Sequence, residues 1–132
     1  MDVQQKSAET IVRWFSEREE IKKVYYPMFS THPGRDIHVK QASGGGAVVS
    51  FELENGEIAK EVLRRVKLPL MAVSLGGVES ILSYPATMSH ASMPREERYA
   101  RGITDGLLRL SVGLEDPKDL CDDIETALKS AR

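Results

Sequence analysis

Apolar positions along the chain recur with two periods, one near 3.6 and one near 2, and the alternation between them predicts the elements. Ala8, Ile11, Val12 and Phe15 fall at helical spacing, with Lys6, Glu9, Arg13 and Glu17 on other faces, so Val3 to about Arg18 reads as an amphipathic helix. Trp14 sits beside that stripe, placed to pack at its edge or against another domain. Ile21 to Tyr26 is a short apolar and aromatic run stopped by Pro27, and reads as a strand. Phe29 to Arg35 is rich in turn formers, His38 to Ala42 is expected to make a helical turn, and Ser43-Gly44-Gly45-Gly46 a flexible connector. Ala47 to Leu53 is the next strand. Asn55-Gly56 turns the chain into a helix over Gly56 to Val66, with Ile58, Ala59, Val62, Leu63 and Val66 on one face and Pro69 blocking its continuation.

Leu70 to Val73 is a short apolar run, and Val78 to Leu82 an extended or mixed one that Pro85 breaks. Pro94 near a first helical position, followed by Glu96 and Glu97, marks a helix start, and Gly102 its end. Thr104-Asp105-Gly106 turns into a strand over Leu107 to Val112. Asp116 caps a last helix that has Pro117 at its first position and buries Leu120, Ile124, Ala127, Leu128 and Ala131. Helices and strands mix without a regular period and no segment repeats. The expected class is therefore α+β, a small, mainly antiparallel sheet with helices on one face.

Length and charge narrow the function classes. The 132 residues fit one domain. A net charge of −2 with both signs interspersed leaves no basic field for nucleic acid or an anionic membrane. No apolar run approaches the roughly 20 residues that span a bilayer. The first residues lack a secretory segment, and Met1 stands almost inside the first helix, which reads as a cut in a longer polypeptide. The single cysteine, Cys121, excludes an internal disulfide and suits a reducing, cytoplasmic setting. Its position on a helix beside Asp122 and Asp123 marks a structural thiol, not a nucleophile.

Most candidate chemistry fails on spacing. His32 and His38 stand six apart across a Pro-Gly turn without a cysteine nearby, which is no zinc pattern. The three consecutive glycines lead into a strand without a following Lys-Ser or Lys-Thr, so they are no phosphate loop. What remains is Ser74 to Glu115. A turn relaxed by Gly76 and Gly77 follows an apolar run, and Arg109 stands in a second apolar run. Its guanidinium can grip a carboxylate with two parallel hydrogen bonds, helped by main-chain N–H groups near Ser74 to Gly77. It can equally be a salt-bridged arginine at a strand edge.

Three motifs add a resemblance: Ser74-Leu75-Gly76-Gly77-Val78-Glu79-Ser80, Tyr84-Pro85-Ala86-Thr87-Met88-Ser89-His90-Ala91, and Arg109-Leu110-Ser111-Val112-Gly113-Leu114-Glu115. In this order and spacing they resemble the C-terminal domain of the pyridoxal-phosphate (PLP)-dependent enzymes of cysteine and methionine metabolism. Those include cystathionine β-lyase, γ-synthase and γ-lyase, and methionine γ-lyase. The likeness runs more loosely over residues 1–132 and implies the C-terminal domain of a fold-type-I PLP enzyme. It implies that Arg109 holds the substrate α-carboxylate, that Ser74 orients it chiefly through backbone contacts, and that Leu75 and Gly76 complete the turn. Ser89 stands where many relatives carry threonine in a Met-Thr-His run, and its hydroxyl would serve the same network. Val73 is the specificity position, apolar here where several γ-lyases and γ-synthases carry glutamate. With Ile81-Leu82-Ser83-Tyr84-Pro85, this places a bacterial β-lyase first, acting on cystathionine to give homocysteine, pyruvate and ammonia. A γ-lyase, γ-synthase or methionine γ-lyase comes second.

The resemblance also implies what this chain lacks. None of its eight lysines stands in a Ser-x-Thr-Lys-like context, and no phosphate turn is present. The Schiff-base lysine and the cofactor would belong to a PLP-binding domain outside these residues, leaving the chain inert alone, with no cofactor or metal of its own. The complete enzyme is expected to be a homotetramer. Trp14, Tyr84 and Met93 are the expected apolar surface toward the cofactor domain. The competing class is a stand-alone α+β module that binds amino acids or a partner.

Overall fold

The computed structural model describes residues 1–131. Its elements are α1 (Asp2–Ser16), β1 (Lys23–Tyr25), α2 (Arg35–Gln41), β2 (Val48–Glu52), α3 (Gly56–Arg65), β3 (Leu70–Met71), β4 (Ile81–Ser83), α4 (Arg95–Ala100), β5 (Leu107–Ser111) and α5 (Pro117–Ser130). The five strands form one sheet in the order β1-β2-β5-β4-β3. All neighbours are antiparallel except β3 and β4, which run parallel. This is the α+β class the mixed pattern predicts, with one short parallel pair at an edge.

Register decides which side chains share a face. Val24, Phe51 and Leu108 lie in one row across β1, β2 and β5, and Val49, Leu110 and Leu82 in the next. Both rows are buried under the apolar stripes of α1, α3 and α5, with the Phe15 and Phe51 rings 4.5 Å apart between centroids. Side chains cap two of these helices: Asn55 Oδ1 accepts from the Ile58 N–H at 3.0 Å at the start of α3, and Asp116 Oδ1 from the Lys118 N–H at 2.7 Å at the start of α5, whereas α1 has no side-chain cap. The opposite rows read Tyr25, Ser50, Arg109, Ser83 and then Val48, Ser111, Ile81.

Several expectations need correction. The helical turn at His38 is a longer helix, α2, which begins at Arg35 and buries no residue. Pro94 is the N-cap of α4, not its first helical residue. The glycine connector is not loose. A Cβ on Gly44 would collide with Gln5 and one on Gly45 with Tyr26, Gly46 has φ +79°, and its N–H donates to Gln5 Oε1 at 3.1 Å. Close approach to Gln5 of α1 and to the Tyr26 ring after β1, rather than flexibility, calls for glycine here. Tyr84 is no surface residue, being 2% exposed with its hydroxyl donating to the Asp105 carbonyl at 2.7 Å. Trp14 is partly buried against the core, with the Arg18 guanidinium 4.4 Å from its ring centroid.

Candidate functional site

Arg109 stands in the middle of β5, the central strand, between Ser50 of β2 and Ser83 of β4. Those two small neighbours leave its long side chain room on the face away from the packed helices. Its Nη2 donates to the Val73 carbonyl at 2.7 Å, the Ser74 carbonyl at 3.3 Å and Ser83 Oγ at 3.3 Å. Ser83 Oγ in turn donates to the Ala72 carbonyl. The Nε of Arg109 is buried without an acceptor, and no bond among the described residues uses Nη1. No carboxylate among the described residues pairs with this guanidinium. Neither part of the strand-edge salt bridge holds among the described residues, since β5 is central and no acid there pairs with the arginine. A guanidinium carries five donors, so Arg109 has capacity for an anion that the protein does not fill.

The structure brings Val73, Ser74 and Arg109 together and leaves Ser89 apart. Val73, Ser74 and Leu75 are exposed on the loop between β3 and β4. Among the main-chain donors near Arg109, Gly76 N–H is already engaged by Ser111 Oγ at 2.9 Å. The N–H groups of Ser74, Leu75 and Gly77 make no bond among the described residues, so they are the ones open to a ligand. Ser89 lies in the turns after Pro85, its hydroxyl paired with Nδ1 of His90 at 2.8 Å, and no hydrogen bond joins it to the Arg109 group. Ser80, Ser83, Ser111 and Glu115 stand within the quoted motifs without a role of their own, and Gln4 stands outside them. Period-two alternation from Arg109 does put Ser111 on its face. Nothing local signals Gln4, because only helix docking places it.

The other titratable groups are structural. Burial pushes the Cys121 thiol up to about 11, with Asp122 adding to it, which keeps it a thiol. Nδ1 of His32 accepts the Gly34 N–H at 3.2 Å, and Nε2 of His38 meets the Gly44 carbonyl at 2.7 Å. No group of three or more potential metal ligands occurs among the described residues. Among the described residues no helix is long and apolar enough to cross a membrane.

A lysine that forms an imine with a cofactor needs a shielded setting that activates its amine. Of the lysines, only Lys60 is half-buried, and it pairs with Glu57 at 3.4 Å, while the others are exposed. Lys23 shares the Arg109 face, on β1, but its ammonium lies 4.9 Å from the centroid of the Tyr25 ring. These residues do not fit a covalent PLP site.

A helix-backed sheet with an unpaired arginine under a glycine-rich loop is the architecture of a known enzyme domain. Residues 1–129 match the family Cys/Met metabolism PLP-dependent enzyme, and the chain belongs to it. Over 123 residues it is 58% identical to cystathionine β-lyase MetC of Bacillus subtilis (strain 168), covering 93% of this chain and 32% of that protein. It is 46% identical over 125 residues to L-methionine γ-lyase of Fusobacterium nucleatum subsp. polymorphum, covering 94% of this chain and 32% of that protein. A crystal structure of cystathionine γ-synthase from Xanthomonas oryzae pv. oryzae in complex with cystathionine superposes with a TM-score of 0.92 at 41% identity, covering 99% of this chain and 34% of that one. The chain thus spans about a third of the length of the relatives it matches. The fold is that of the C-terminal domain of fold-type-I PLP enzymes, and the family function is PLP-dependent sulfur-amino-acid lyase or synthase chemistry.

Proposed function

We propose that this chain is the substrate-carboxylate-binding C-terminal domain of a PLP-dependent sulfur-amino-acid lyase, acting on cystathionine as a β-lyase. The observation that carries the reading is the Arg109 guanidinium. It sits on a central strand with an unpartnered Nε and no carboxylate, under the carbonyls of Val73 and Ser74. A substrate α-carboxylate supplies the missing acid, with Ser74 and Leu75 N–H groups as secondary donors, while Ser89, turned to His90, takes no part. Held this way, the substrate α-carbon is fixed relative to a cofactor carried by a separate PLP-binding domain. That cofactor supplies the electron sink when bound. The apolar, 55% exposed Val73 speaks against the glutamate-bearing cystathionine γ-lyases and γ-synthases, and the 58% identity to a protein named cystathionine β-lyase favours that reaction over a methionine γ-lyase.

The exposed Leu70, Met71, Val73, Leu75 and Val78 support docking to the PLP-binding domain and assembly into a homotetramer. The decisive experiment is steady-state kinetics of the full-length protein on L-cystathionine, L-methionine and an O-acylhomoserine. Pyruvate release from cystathionine as the preferred reaction supports the β-lyase, and preference for either other substrate replaces it with the corresponding γ-enzyme. Residues 1–132 alone should neither cleave cystathionine nor retain covalent PLP after borohydride reduction. Label on one of their lysines overturns the division of labour. A gene encoding no cofactor domain ahead of Met1 would favour a stand-alone module instead.

A further inference from the structure

The loop that covers Arg109 leaves β3 at Met71 and enters β4 at Ile81. Exposed and containing two adjacent glycines, it has many conformations open to it, and its ordering has an entropic cost. Yet its second half is tied down by side chains remote in sequence. Glu115 accepts the Ser80 N–H on both carboxylate oxygens, at 3.1 and 2.9 Å, and the Ser80 hydroxyl at 3.0 Å. Ser80 Oγ also accepts the Gly113 N–H at 2.8 Å, while the Leu114 N–H donates to the Val78 carbonyl at 2.8 Å. From the first turn of α1, the 8% exposed Gln4 donates through Nε2 to the Gly77 carbonyl at 2.8 Å and the Val112 carbonyl at 3.2 Å. Ser111 Oγ holds Gly76 N–H.

One strand thus does two jobs. β5 carries Arg109, and its continuation through Ser111, Gly113 and Glu115 fastens the loop that Arg109 bonds to. Neither Gln4 nor Glu115 bonds to Arg109. We propose that Glu115 and Gln4 are positioning residues, which fix the Val73–Ser80 loop over Arg109 and so set how tightly a substrate α-carboxylate is held. This rests on the reading of Arg109 given above. Charge-assisted bonds to a partly buried carboxylate are the stronger kind, so Glu115 is the firmer clamp. Gln4 uses both amide hydrogens on two carbonyls, which leaves no slack at the helix end.

The test compares each enzyme's kcat/KM on L-cystathionine, or L-methionine if the full-length wild type prefers it, with that on the α-carboxamide of the same substrate. Glu115→Gln turns one acceptor into a donor facing an N–H, and Gln4→Met removes both amide bonds at similar volume. Each should lower the preference for carboxylate over carboxamide, roughly tenfold for Glu115→Gln and less for Gln4→Met, mainly through KM. A lesion that only loosens the fold lowers both substrates alike, leaves the preference intact and overturns the proposal. Arg109→Ala separates the two levels. If it collapses the preference and the clamp variants do not, the clamp is wrong. If Arg109→Ala leaves it unchanged, the carboxylate assignment itself is wrong and the clamp falls with it. Should Glu115→Gln fail to fold, Gln4→Met and Ser111→Ala decide on the same ratio.

Discussion

The two faces of the sheet use the same five strands for opposite ends. One face lines up Val24, Phe51 and Leu108, then Val49, Leu110 and Leu82, and seals them beneath three helices. The other lines up Tyr25, Ser50, Arg109 and Ser83, where serines flank a cation that no acid neutralises. On the first face each side chain is worth its buried area, so neighbours of the right volume substitute for one another. On the second, a polar group is held in place by bonds from a loop and a strand, and geometry matters more than volume. The two glycine-rich segments repeat the contrast. Ser43 to Gly46 is pressed between α1 and the end of β1, where a Cβ on Gly44 meets the Gln5 side chain and one on Gly45 the Tyr26 ring. At Gly76, φ is +81° and nothing lies within 4 Å of where a Cβ would be, so the turn stays open beside Arg109.

If the faces divide labour this way, the largest stability loss belongs to the first. Phe51→Ala should destabilise the domain by about 3–5 kcal/mol, the usual cost of emptying a core aromatic site. Denaturant unfolding measures it, and a loss below about 1 kcal/mol would mean the core collapses around the gap. The second face should answer in activity instead. Arg109→Lys trades a planar fork for a point charge and should cost about 1.5–3 kcal/mol of transition-state binding, roughly ten- to a hundredfold in kcat/KM. Arg109→Ala should do worse, with the cofactor absorbance of the full-length enzyme unchanged in both. Near-normal kcat/KM in Arg109→Ala would make that arginine structural and erase the contrast.

Smaller effects sharpen the comparison. Gly45→Ala drives a methyl into the Tyr26 ring and should cost about 1–3 kcal/mol of stability, typical of overpacking. Gly77→Ala, which has only ordinary contacts, should cost less, and equal melting temperatures would show that the connector yields. The smallest effect is electrostatic. Burial opposes ionisation of Asp105, but hydrogen bonds from Arg98, Tyr99 and Arg95 outweigh it and hold the carboxyl below its usual range. A depressed folded value adds stability above the ordinary carboxylate pKa of about 4, lost as pH falls through the lower one. Asp105→Asn should therefore flatten the acid limb of the stability–pH curve and leave its slope near neutrality unchanged.

The elements and the chemistry on offer could be read from the order of residues alone. Helical spacing at Ala8, Ile11, Val12 and Phe15, the Asn55-Gly56 turn, the Asp116 cap, and the apolar runs at Ala47 and Leu107 are local signals, set by neighbours within a turn or a strand. The motifs around Ser74 and Arg109 were legible for the same reason, as short runs whose residue types carry a known resemblance. It took the folded chain to put Arg109 in the middle of the sheet with no acid beside it among the described residues, to bring Gln4 to a loop 73 residues away, and to bury Tyr84. Those facts follow from strand order, register and helix docking. Each is a choice among long-range pairings that cost similar loop-closure entropy, and it is made by the whole packed core at once.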